Sequence, residues 1–373
     1  MDPRQLLPPD NPLGYPTPFW FIQFFKVLGF ALHVLMMNIW YAGAPLAIIL
    51  NTFGAQRAKT LGHHIARALP FVLAFGINFG IIPLLFIQVA YYQFFYPATI
   101  LIAWPWFAVF WFVMVGYAAI YLYRLSLEGK FPAAWGRLGG WLAAGLFLVV
   151  GLIFSAAMSL LAAPDRWWKV FSSSNVAGAP TGLILDFGNP TLIPRWLFMI
   201  GIAITTTAAF VMLDAAYMSG REDDTYRRYA ARFSAVLYTL GIAWFVGFGS
   251  WYIFGTRPFA FSQALADPIM RFIFPLTMVS PGLPWILVLL QWNGPRRLLA
   301  ALTGFAQFGV IVLNGVSRQW LQNVEIGRYA DLAAKPVDLQ LSAMIVFLVL
   351  FAVGLGIIAW IISKIIQVNR AQA

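Results

Sequence analysis

Of 373 residues, 61% are hydrophobic and 10% charged, with mean hydropathy +0.78, so the chain has too little charge to cover a water-soluble globule and its solvent must be lipid. Cysteine is absent and the only histidines are His33, His63 and His64, which excludes disulfides, thiolate-held iron–sulfur clusters, c-type haem attachment and a pair of bis-histidine b-haems on this chain's own ligands. The formal charge of +11 is scattered between apolar segments and forms no continuous stripe, which excludes nucleic acid as a partner.

Residues 1–18 carry Pro3, Pro8, Pro9, Pro12, Pro16 and Pro18 and lack a basic region followed by a small-residue cleavage site, so they read as an extended external tail and not as a signal peptide. Residues 19–373 read as a single polytopic transmembrane domain. A span needs about 20 apolar residues at about 1.5 Å rise each. That rule predicts an all-α integral membrane protein with helices near 22–50, 66–95, 99–123, 140–162, 193–216, 231–254, 270–291, 298–316 and 342–365, nine in all.

Charge orients these helices. The connections after the odd-numbered helices hold Arg57, Lys59 and Arg67, then Arg124, Lys130 and Arg137, then Arg221, Arg227, Arg228 and Arg232, then Arg296 and Arg297, and finally Lys364 and Arg370. The intervening connections are uncharged, as in Gln93–Ala98, or balanced, as where Asp165, Arg166, Lys169 and Asp186 share one loop. Positive residues stay on the cytoplasmic side, so the N-terminus is expected outside and the C-terminus inside, in a bacterial inner membrane. Many of the tryptophans, such as Trp40, Trp104, Trp167 and Trp320, fall near helix ends, where an aromatic belt explains them.

An ionisable residue inside a span costs at least a few kcal/mol and is a functional candidate for that reason. His33 has two readings: a haem ligand through one ring nitrogen, or a hydrogen-bonded core histidine. Lys26 lies seven residues before it on the same face and is expected to snorkel to headgroups or to meet an acidic cofactor group. His63 and His64 are expected to be solvated beside Lys59 and Arg67, Asp214 to pair at the surface, and Asn78 and Gln88 to bond between helices.

Several short segments resemble the large haem-bearing subunit of cytochrome bd-type quinol oxidases over most of the chain. Phe30-Ala-Leu-His33 with Gly43-Ala-Pro-Leu-Ala47 looks like that family's opening helix, Gly76-Ile-Asn-Phe-Gly80 like its second, and Ser155-Ala-Ala-Met, Asn189-Pro, Arg195 and Ala208-Ala-Phe follow its order. Ser317-Arg-Gln-Trp320, at the expected outer end of the eighth helix, is similar to the family's Gly-Arg-Gln-Pro-Trp. The resemblance implies a bd subunit I-like bundle in which His33 is an axial haem ligand and Arg318 pairs a propionate, with Gln319 and Lys26 assisting. The second axial position stays open or falls to a partner or to Met158, which the fourth helix brings to a similar depth. It also implies departures. The family's low-spin haem histidine falls on Phe198, its methionine near Ile273 and a ligating carboxylate near Gly315, while the connection Gly255–Asp267 is too short for a quinol-binding loop. Oxygen reduction by this chain alone is therefore not expected. The expectation is a membrane subunit of a respiratory or photosynthetic electron-transfer complex, holding at most one b-type haem or a quinone near the external face. Its expected partners are other membrane-complex subunits, lipid and an external multihaem cytochrome c or iron–sulfur protein. The rival reading is a haem-free assembly subunit on the same scaffold; a secondary transporter ranks third, for want of buried acids in matched halves.

Overall fold

The computed structural model describes residues 2–220 and 222–371, so Arg221, one of the expected basic loop residues, lies outside the described residues, as does the side chain of Arg370. The chain is almost wholly helical, with α1 Phe19–Phe53, α2 Gln56–Ala90, α3 Tyr92–Leu101, α4 Ala103–Leu127, α5 Ala133–Leu161, α6 Trp167–Ser173 and α7 Leu192–Leu213. These are followed by α8 Asp224–Ser250, α9 Pro258–Ala266, α10 Met270–Val279, α11 Gly282–Leu289, α12 Arg297–Ile326 and α13 Leu341–Ala371. A two-stranded antiparallel ribbon, β1 Asn175–Val176 with β2 Ala179–Pro180, interrupts the loop between α6 and α7.

Eight segments are long and apolar enough to cross a membrane: α1, α2, α4, α5, α7 with its one-turn π extension to Met218, α8 with a similar extension to Gly255, α10 with α11, and α12. The protein is an all-α, multi-pass membrane bundle. The ninth expected span falls on α13, whose described apolar stretch Leu341–Ile357 is shorter than the other eight. Pro45 sits inside α1 and Pro70 and Pro83 inside α2 without ending either helix, as packed neighbours in lipid allow.

The connections sort to two ends. At one, here called the tail end, the N-terminal tail is tied to the segment after α12: Tyr15 N–H donates to Pro336 O (2.8 Å), Asp338 N–H to Tyr15 O (2.9 Å), and Gln93 to Pro8 O (2.6 Å). Arg166 pairs with Asp186 there (2.5 Å), so the loop read as charge-balanced is balanced by a direct contact, which holds the Arg166 guanidinium above its usual pKa. At the far end Asn51 donates to Tyr123 OH (2.7 Å) and Tyr217 OH to Arg297 O (2.8 Å).

Helix α1 is central, packed on α2, α5, α7 and α12, and small residues set how closely it approaches α2. A Cβ at Gly29 would fall 2.5 Å from Ile82, and one at Gly76 2.9 Å from the Trp40 ring nitrogen. In lipid, where apolar surface alone does not drive helices together, close backbone approach and interhelical hydrogen bonds hold the bundle. Of the two expected amides, Gln88 on α2 accepts from Tyr96 OH on α3 (3.5 Å), whereas Asn78 is exposed and bonds back to Ala74 O of its own helix. The buried network is instead Asn38 to Thr206 Oγ1 (3.0 Å), Gln307 to Thr205 and Thr206 (3.1 and 3.0 Å), and Tyr238 OH to Gln307 (2.5 Å), joining α1, α7, α8 and α12.

Candidate functional site

His33 faces α2 from the tail-end half of α1. Its Nδ1 lies 2.8 Å from Gly76 O, and a Cβ at Gly80 would fall 2.8 Å from the same nitrogen, so the spacing Gly76-x-x-x-Gly80 is what lets the ring lie against the α2 backbone. A backbone carbonyl only accepts, so Nδ1 carries the proton and a neutral His33 keeps its lone pair on Nε2. That is the state in which histidine ligates a metal, with a backbone carbonyl fixing the tautomer.

Around it, α1 and α12 run side by side. Gly315, where the family pattern would put a carboxylate, has no side chain, and a Cβ there would lie 3.4 Å from the Phe30 ring. One turn on, the Arg318 guanidinium stacks on the Phe30 ring (4.5 Å to the centroid), between the levels of His33 and Lys26 on α1. Lys26 does not snorkel. It is 6% exposed, with its ammonium over the Tyr91 ring (4.2 Å) and 3.5 Å from Gln322 Oε1.

Gln319 is buried and donates to Tyr91 OH (2.5 Å) and to Asn323 Oδ1 (3.0 Å). Gln23 donates to the same hydroxyl (3.0 Å), whose own proton goes to Asn323. Tyr91, Gln23, Gln322 and Asn323 were missed as site residues. A signal was present, since Gln319, Gln322 and Asn323 recur at helical spacing, but it lay beyond the expected helix end at 316. In fact α12 runs on to Ile326, and Ser317-Arg-Gln-Trp320 lies inside it and not at its end. Two of the polar residues that looked like loop have partners: Asn323 accepts from Tyr91, and one oxygen of Glu325 pairs with buried Arg257.

Met158 is buried in a separate apolar cluster at the tail end with Tyr91, Phe94, Leu161 and Trp167, whereas the neighbours of His33 on α1, Ala31 and Val34, belong to one built on Ile202, Phe245 and Ile311. Lys26 and Arg318 lie where α1 meets α12, Gln319 reaches Tyr91 after α2, His33 faces α2, and Met158 packs in the cluster that contains Tyr91. Phe198 stacks on Tyr252 (5.9 Å between centroids), and Ile273 packs beside Met270 and Phe274.

A second cluster stands at the far end. His64 is not solvated: its Nδ1 lies 3.1 Å from an Asp214 carboxylate oxygen and its Nε2 3.3 Å from Glu222, with the Tyr226 ring tilted against it at 5.5 Å. Asp214 is 4% exposed, so the expected surface pairing is a buried one, and Ser219 Oγ also donates to it (2.9 Å). His63, the adjacent residue, is exposed as expected. Both nitrogens of His64 are directed at carboxylates on opposite sides of the ring, which makes a clamp and leaves no lone pair for a metal; among the described residues no cluster of three or more acidic or histidine side chains has metal-site geometry.

The fold defines a class: a multi-pass α-helical membrane protein. No protein-family model matches the chain, and no curated protein matches it.

Proposed function

We propose that this chain is the membrane subunit of a multi-subunit respiratory or photosynthetic electron-transfer complex of a bacterial inner membrane. On this reading it has a cytochrome bd subunit I-like bundle of nine helices, with the tail end outside, and holds one b-type haem or a quinone near that face. The observation that carries the haem form is the contact of His33 Nδ1 with Gly76 O, because it leaves Nε2 as the ligating atom. On this reading His33 would be the only protein ligand, Arg318, which stacks on Phe30 one turn toward the tail end, would meet a propionate, and Lys26 and Gln319 would lie behind it. Such a haem supplies a one-electron relay. The chain orients it, excludes water and docks external redox subunits, a multihaem cytochrome c or an iron–sulfur protein, against the tail-end loops.

The test is a reduced-minus-oxidised optical spectrum with a pyridine haemochrome assay on the purified complex, repeated after His33→Ala and after removal of partner subunits. A b-type signal that stays with this chain and vanishes with His33 is expected. Absence of b-haem from every preparation overturns the haem form. A second reading, a haem-free assembly subunit, is favoured by the packing of Phe198 and Ile273 in separate apolar clusters where the resemblance would put a haem's two ligands.

A further inference from the structure

Around Lys26 the hydrogen-bonding capacity left over is all of one kind. Lys26 is nine-tenths buried, seven residues inside α1 from Phe19 and so about 10 Å along the helix axis. No carboxylate of the described residues lies within 4 Å of it, and its one polar partner is Gln322 Oε1 at 3.5 Å. The Gln322 Nε2 amide is itself buried without a partner. Arg318, one turn before Gln322 on α12, makes no hydrogen bond or ion pair among the described residues and rests only on the Phe30 ring. The nearest acid on α12, Glu325, is committed to Arg257.

A buried cation without a counter-charge costs several kcal/mol, and a guanidinium does not escape by losing its proton. Even with Lys26 neutral, the cradle therefore stays positive and rich in donors. What completes it is a group that only accepts and carries negative charge.

We propose that Lys26, Arg318 and Gln322 form a binding site for an oxyanion, a carboxylate or phosphate group carried by a membrane-embedded ligand. Two sources share that chemistry. One is a propionate of the haem, which rests on the function proposed above; the other is the phosphate of an anionic phospholipid. Neither source needs His33 to recognise the acid, and Gln322 is a site residue that the haem reading does not call upon.

The test uses the full-length protein, stripped of lipid and haem in a neutral detergent and titrated with phosphatidylglycerol vesicles against phosphatidylcholine, and with haem b against its dimethyl ester. At least one acidic probe is expected to bind saturably and better than its neutral counterpart. Lys26→Met and Gln322→Leu should each weaken that binding by roughly tenfold, the loss of one charge-assisted hydrogen bond. Two variants guard against one that fails to fold, with thermal unfolding as the check. His33→Ala separates the two ideas: it should lower haem binding and leave phosphatidylglycerol binding as in the wild type. If phosphatidylglycerol binds at these residues and the complex contains no haem, the haem reading falls and the oxyanion site stands. Haem binding that is indifferent to esterification, to Lys26→Met and to Gln322→Leu, with no preference for phosphatidylglycerol, overturns the site and leaves His33 ligation intact.

Discussion

His33 and His64 are the same side chain on adjacent helices, put to opposite uses. His64 has a carboxylate on each nitrogen, so its whole hydrogen-bonding capacity is spent joining α2 to the turn after α7 and to the loop before α8. His33 has one nitrogen fixed by a backbone carbonyl and the other unspent. At the far end acids surround a potential cation and the site closes on itself. At the tail end, among the described residues, Lys26 has no carboxylate beside it and only Gln322 Oε1 as a polar partner. A histidine's role here is set by what its second nitrogen meets, which the residue type does not disclose.

The sharpest way to break that comparison is to remove each ring in turn. His64→Leu leaves Asp214 buried with only Ser219 as partner, and should cost about 3 kcal/mol, the scale for losing one member of a buried charged pair. The measurement is the denaturant or thermal unfolding midpoint of the ligand-free protein in detergent; a cost within error would refute the clamp. Gly80→Val comes next, at about 2 kcal/mol, since even a Cβ falls 2.8 Å from the His33 ring and must push it from Gly76. Its haem content should fall with its stability. His33→Leu is smaller, about 1 kcal/mol for one hydrogen bond in the ligand-free protein, and on the haem reading proposed above it should abolish haem binding. If His33→Leu were the costlier of the two histidine substitutions, the contrast drawn above would reverse.

The smallest effect belongs to an acid at the tail end. Asp267 Oδ1 accepts from the backbone N–H groups of Met270 and Ile269 (2.9 Å each) and caps α10, which depresses its pKa below the usual 3.8. The folded value lies below the unfolded one, so the contribution is full above pH 3.8 and is lost as pH falls through the depressed value. Asp267→Ala should cost about 0.5 kcal/mol at neutral pH, and the gap from the wild type should close in acid. A gap that persists well below pH 3.8 would mean that the side chain acts by packing and not as a charged cap.

Of the fold, the segments with long uninterrupted apolar runs were legible, because in lipid a helix is the one way to satisfy a backbone locally. Their ends were not. α2 begins ten residues before the expected 66 and α12 runs ten past the expected 316, since Gln56–Ile65 and Ser317–Ile326 are polar enough to read as loop. The expected span 99–123 is in fact divided at Ile102 between α3 and α4. Of the candidate site, His33, Arg318, Lys26 and Gln319 were singled out by resemblance and position, whereas Tyr91, Gln23, Gln322 and Asn323 were not, because each enters through a partner far away in the chain.

Composition alone determined that this protein lives in lipid, and hydropathy that its backbone is helical, because both follow from transfer free energies that are local to each segment. Only the tertiary structure decided that Lys26 is buried and does not snorkel, that Asp214 belongs to His64, and that Asn38 and Gln307 bind helices while Asn78 does not. Those outcomes depend on which face of each helix meets which neighbour. That is set by close approach at glycines such as Gly76 and Gly80, and by the pairing of polar groups far apart in the chain.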